Sequence, residues 1–150
     1  MHSNQYVRLI IMTILSFISM FVFMYAMVDA LSNVYPNLNQ FYMAGLMTAP
    51  MVIIELFLMW PMYKNKKVNI AILAASIIAL GAFFVLIRQQ TAVADAQFLK
   101  SMIPHHAGAI LMCEKAPLQD TEIKSLCKNI ISSQKSEIAQ MKAKLSSLEK

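Results

Sequence analysis

His105 and His106 are neighbours in the chain, and Met102 and Met112 stand three to four residues before and six to seven residues after them. On a helix those spacings bring side chains near one another. Imidazole with thioether is a ligand set suited to copper, and thioether sulfur favours the monovalent ion. Zinc fits less well, because structural zinc sites use closely spaced cysteine pairs and this chain has no Cys-x-x-Cys. Further along, Gln134 interrupts an otherwise apolar heptad seam, and Glu137 adds a carboxylate one turn on. A polar residue in such a seam either sets register or supports a ligand. The two cysteines, Cys113 and Cys127, have two readings: a disulfide formed in an oxidising compartment, or two thiolate copper ligands. The disulfide is favoured, since both positions fall in the packing seam near a turn.

Methionine is unusually frequent, at 13 of 150 residues. Met20, Met24 and Met27 recur at helical spacing, as do Met43, Met47 and Met51, and the second series continues through Glu55 to Met59. A strict four-residue step drifts about 40° per rung, so the series winds round its helix as a ribbon. It reads either as a soft-metal path through a membrane or as flexible apolar filler. Glu55, an ionisable group deep in an apolar segment, is a functional candidate in its own right, with a protonated packing residue as the alternative.

These residues need elements to position them, and composition limits which. The chain is 58% hydrophobic and 14% charged with mean hydropathy +0.55, against about 45–50% and about 25% in soluble domains. That excludes an ordinary soluble enzyme and a disordered chain. Residues 9–28, 41–63 and 68–87 are each long enough to span a hydrocarbon core, which takes about 20 residues. The first run is too long for a signal peptide and is expected as a true span. Arg8 and the sequence Lys64-Asn65-Lys66-Lys67 fall on one side of such a three-span arrangement, while residues 29–40 contain no Lys or Arg. The positive-inside rule therefore predicts a cytoplasmic N-terminus and an outward-facing C-terminal part in a bacterial inner membrane. The net charge of +5 is diffuse, so nucleic acid is not an expected partner.

After Arg88 the pattern turns amphipathic. Asp95 reads as an N-cap, and Leu99, Met102, His106, Ala109 and Cys113 form a helical seam beside a strip of Phe98, His105 and Met112. Pro104 should bend this helix ahead of the histidines. Pro117 closes it, and Asp120 starts a second helix over 121–148 whose Cys127, Ile131, Gln134, Ile138, Met141, Leu145 and Leu148 keep a four-three spacing. The fold expected is all-α: a three-span membrane domain over 1–88, then a helical hairpin over 89–150. A hairpin of this size buries little on its own, so self-association is expected, with a dimer forming a four-helix bundle.

The run Met102-Ile103-Pro104-His105-His106-Ala107-Gly108-Ala109-Ile110 with Met112, followed by Ile130-Ile131, Gln134, Glu137-Ile138 and Met141, resembles the bacterial domain of unknown function 305 family. The likeness covers roughly residues 90 to 145, and the Met-rich spans resemble those of membrane-anchored members. It implies a ferritin-like helical fold and copper handling in the cell envelope, with Met102, His105, His106, Met112, Gln134, Glu137 and Met141 at the metal-site positions. Cys113 and Cys127 stand where such a family would carry small apolar residues, which favours their pairing. The single hairpin, where soluble members complete a four-helix bundle, implies that a second copy finishes the site. The expected function is capture of copper, Cu(I) over Cu(II), for resistance or homeostasis. The alternatives are a copper transporter using the Met ladder and a metal-free oligomerising scaffold. No enzyme is expected, and the Glu-x-x-His pairs of a di-iron site are absent; a copper oxidase is the one catalytic alternative.

Overall fold

A computed structural model describes residues 3–149. Its described residues form five α-helices and three short 3₁₀ turns and contain no strand. The helices are α1 (Ser3–Phe23), α2 (Leu38–Leu58), α3 (Lys66–Arg88), α4 (Asp95–Lys115) and α5 (Thr121–Leu148). Three segments, Gln5–Met27, Leu38–Leu58 and Lys66–Arg88, are long and apolar enough to cross a membrane. The chain divides into two compact units, neither continuous in sequence. The first joins residues 1–23 with 39–91, and the second joins 24–38 with 92–150. The second unit thus contains the hairpin together with the end of the first apolar run and the loop that follows it.

The first unit is built on the three long helices. Leu9, Val52, Leu56 and Tyr63 form its buried core, with Met12, Met59, Trp60 and Leu73 packed against them. Gly45 has no side chain because the Phe83 ring occupies that space. At one end a polar network ties three stretches of chain together. The Tyr6 hydroxyl donates to Asn69 Oδ1 at 2.8 Å and accepts from the Asn65 N–H at 3.2 Å. Asn69, fully buried, donates to the Tyr63 carbonyl at 2.7 Å. Asn65 caps α3, its side chain accepting from the Lys67 and Val68 N–H groups. Left-handed φ angles at Gln90 (51°) and Ala92 (59°) follow α3, and the Gln90 amide exchanges two hydrogen bonds with Asn39 at 2.9 and 3.0 Å.

The second unit packs α4 against α5. Its core is Ile103, Ala107, Ile110, Ile138 and Leu145, with Val28, Tyr35, Leu99 and Met141 around it. Asp120 caps α5 as the sequence predicts, accepting from the N–H groups of Glu122 and Ile123. At α4 the cap position is Ala94, so Asp95 serves as the first helical residue instead. A disulfide joins Cys113 to Cys127 with their Cα atoms 5.2 Å apart, and all described cysteine is paired. Closing a loop of about 15 residues contributes about 3 kcal/mol by restricting the unfolded chain. Two cross-hairpin ion pairs, Lys100 with Glu149 and Lys135 with Glu114, lie at the surface, where such pairs add about 0–1 kcal/mol each.

Pro104 lies inside α4, which continues through it. Lacking an N–H, proline leaves unpaired the carbonyl four residues back, here that of Lys100. Asn37 from the 24–38 segment donates its Nδ2 to that carbonyl at 3.3 Å and also to the Tyr35 carbonyl at 2.9 Å. The Leu38 N–H reaches Gln97 Oε1 on the same helix at 3.0 Å. Val28 and Tyr35 of the 24–38 segment pack against the cluster that holds Ile103, Ala107 and Ile110, while of the expected seam only His106 is buried and Leu99, Met102, Ala109 and Cys113 are half-buried.

Candidate metal centre

The buried histidine of α4 is His106, at 8% exposure. Its Nδ1 lies 2.9 Å from the Met102 carbonyl oxygen. A carbonyl only accepts, so Nδ1 carries the proton and donates. That hydrogen bond fixes the ring and turns Nε2 across the hairpin, where Glu137 Oε2 on α5 is 2.7 Å away. The other carboxylate oxygen accepts from the Ser133 hydroxyl at 2.6 Å. The Ser133 hydroxyl and then the His106 ring hold the Glu137 carboxyl below the usual carboxylate range. A nitrogen and an oxygen this close can both reach one ion at about 2 Å. A backbone acceptor on the far ring nitrogen is the arrangement that orients metal-ligating histidines.

The remaining positions fall into two sets. Gln134 and Met141, both half-buried, precede and follow Glu137 by three and four residues and so share its stripe of α5. Met141 packs on the hairpin core, and Met102 is half-buried on α4. His105 points away from this group: it is exposed, its ring centre 6.2 Å from that of His106 and inclined by 64°. Consecutive helical residues diverge by about 100°, so one chain does not bring both rings to the same ion. Met112, 53% exposed, follows His105 by two turns, and Phe98, 50% exposed, continues the same stripe. Among the described residues, no three His, Cys, Asp or Glu side chains are grouped to hold a metal. What the hairpin assembles is a His106–Glu137 pair flanked by Met102, Gln134 and Met141. His105 and Met112 form a separate exposed stripe.

The transmembrane candidates are dispersed too. Met20 meets the Thr48 hydroxyl at 3.5 Å. Met43 and Met47 are 42% and 47% exposed on α2, and Met51 is half-buried. Met24 and Met27 lie in a 3₁₀ turn beyond α1. With three residues per turn there, the shared face expected of Met20, Met24 and Met27 is not continued. Glu55 is nearer a helix end than its sequence position suggests. α2 stops at Leu58, Met59 leads into a 3₁₀ turn, and Tyr63 after that turn lies within electrostatic reach of Glu55. The sequence alone pairs Glu55 with nothing. This neighbour follows a turn that reads as continuing span.

Residues 84–145 match the family described as a domain of unknown function (DUF305). An uncharacterized protein, L153, of Acanthamoeba polyphaga mimivirus is 32% identical over 136 residues, covering 89% of this chain and 88% of that protein. Residues 84–145 are a DUF305 domain. The family match takes in the whole His106–Glu137 pair and the disulfide, and the viral likeness, longer than the hairpin, extends into the long apolar helices. No solved structure matches the chain that carries this DUF305 domain.

Proposed function

We propose that this DUF305-domain protein captures copper, as Cu(I), on the hairpin side of a membrane. His106 and Glu137 anchor the ion and the thioethers of Met102 and Met141 complete a soft coordination shell, with Gln134 flanking it. The observation that carries the reading is the His106 ring, held by the Met102 carbonyl at 2.9 Å with Nε2 turned to a carboxylate 2.7 Å away. The exposed stripe of Phe98, His105 and Met112 is the surface through which a second copy completes a four-helix, ferritin-like bundle and adds His105 and Met112 as a further ligand pair. The positive charge of Arg8, Lys64, Lys66 and Lys67 supports a reading in which that end of the spans is cytoplasmic and the hairpin lies on the opposite face. Transport along the Met ladder is a weaker reading, since several copies would be needed to bring the exposed Met43 and Met47 round one path.

A metal-free scaffold is the second reading, because both ring nitrogens of His106 already have partners within the chain. Competition titration of the detergent-purified protein against a chromophoric Cu(I) chelator separates the two. His106→Ala is expected to weaken Cu(I) binding at least tenfold, and His105→Ala to weaken it less in the monomer than in the dimer. Unchanged affinity in His106→Ala would overturn the site. Absence of copper above background, with assembly intact, would favour the scaffold.

A further inference from the structure

Two cavities in the membrane-spanning unit meet at one end. The first, of about 740 Å³, is an apolar groove between the three long helices, with Thr13 and Phe17 of α1, Ala49 and Val52 of α2, and Ala75 and Ala79 of α3 on its walls. The second, of about 710 Å³, is lined by Lys64, Asn65, Lys66 and Lys67 together with Gln5. Tyr6 and Val68 line both, so the apolar groove opens into the lysine-lined one. Along α1 the groove extends from Tyr6 to Ile18, a rise of about 18 Å. That is close to one leaflet of a hydrocarbon core about 30 Å thick.

We propose that this composite groove binds one anionic phospholipid, an acyl chain lying between α1, α2 and α3 and the headgroup phosphate among Lys64, Lys66 and Lys67. The chemistry of the two halves selects this occupant. At membrane depth the apolar groove excludes water and is filled only by hydrocarbon. At its mouth three exposed lysines occur within four residues and without an intervening acid. Basic pockets between transmembrane helices recognise acidic headgroups on this principle. The acid nearest in sequence, Glu55, is nine residues before Lys64 and lines neither cavity. The rim is also built rather than loose. The hydrogen bonds from Tyr6 to Asn69, Asn65 to Tyr6 and Asn69 to Tyr63 hold the lysine turn against α1 and α3, so the cations are placed before lipid arrives.

The test uses the full-length protein in mild detergent, titrated by native mass spectrometry with phosphatidylglycerol and phosphatidylcholine of identical acyl chains, and with inorganic phosphate alone. The expected result is a one-lipid adduct of phosphatidylglycerol at a concentration at least tenfold below that needed for phosphatidylcholine, with phosphate alone failing to compete. Lys64→Gln/Lys66→Gln/Lys67→Gln should bring the two lipids level. Ala79→Phe, which fills the groove, should weaken both at unchanged helix content. Equal retention of the two lipids by the parent protein, or a preference that survives the triple substitution, overturns the proposal. Lipid adducts that persist in a folded Ala79→Phe protein also overturn it. So does an Ala79→Phe effect on dimer content alone, which would give the groove to a second copy. If Ala79→Phe does not fold, the lysine variant, altered only at exposed side chains, still decides.

Discussion

His106 and Glu137 couple the two helices of the hairpin through a single contact, and the coupling has a pH dependence. With the Ser133 hydroxyl and the His106 ring holding the Glu137 carboxyl below its ordinary value of 4.5, the folded protein binds that proton less readily than the unfolded chain does. Such a group adds stability that is full above the unfolded value and is lost as pH falls through the lower folded value. In metal-free protein, Glu137→Gln should therefore lower the melting temperature at neutral pH, and the gap from the parent should narrow as pH falls below about 4.5. A gap constant from pH 7 to pH 3 in thermal scans would mean that the ionised carboxylate is not what the hairpin uses. Both residues can be picked out in the sequence as candidates. Their pairing to one another, and the divergence of His105 from them, depend on which face of α4 meets α5.

At the scale of elements, a proline in the middle of α4 is accommodated by a segment far away in the chain. Pro104 frees the Lys100 carbonyl, and Asn37 supplies the missing donor. Asn37→Ala should destabilise the hairpin unit by about 1–3 kcal/mol, the cost of leaving a buried acceptor without a partner. Pro104→Ala restores an N–H to the helix, so the loss in Asn37→Ala/Pro104→Ala should be smaller than in Asn37→Ala alone. A double-mutant cycle from denaturant melts measures this, and strict additivity would show that the Asn37 contact carries no weight. α4 runs on past Pro104, and the donor that serves the freed Lys100 carbonyl comes from a segment that sequence periodicity along α4 gives no sign of. The same segment bears on the buried face of α4: Val28 and Tyr35 pack against the cluster that holds Ile103, Ala107 and Ile110.

For the whole molecule, the composition of the second unit constrains topology. Residues 24–38 and 92–150 belong to one compact body, and α2 and α3 lie between them in the chain. Two crossings, by α2 and α3, would return the chain to the side it left, so both pieces of this unit are expected on one face of a membrane and the lysine segment on the other. Single cysteines at Leu31, which is 91% exposed, and at the exposed Lys66 should label from opposite faces of sealed vesicles with an impermeant maleimide. Labelling of both from the same face would contradict three crossings. The three segments long and apolar enough to span, the two hairpin helices and the cap at Asp120 were legible in the sequence. Hydropathy, periodicity and turn chemistry act over short stretches, and each reports on its own neighbourhood. The closing of Cys113 on Cys127 was also within reach, as the favoured of two readings, since a short turn leaves few places for the second helix. Only tertiary structure decided that His106 faces Glu137 while His105 faces outward, and that the loop after the first apolar run belongs to the hairpin body. Each of these depends on the rotation of one helix against another or on a contact across many residues, and packing of the assembled faces sets both.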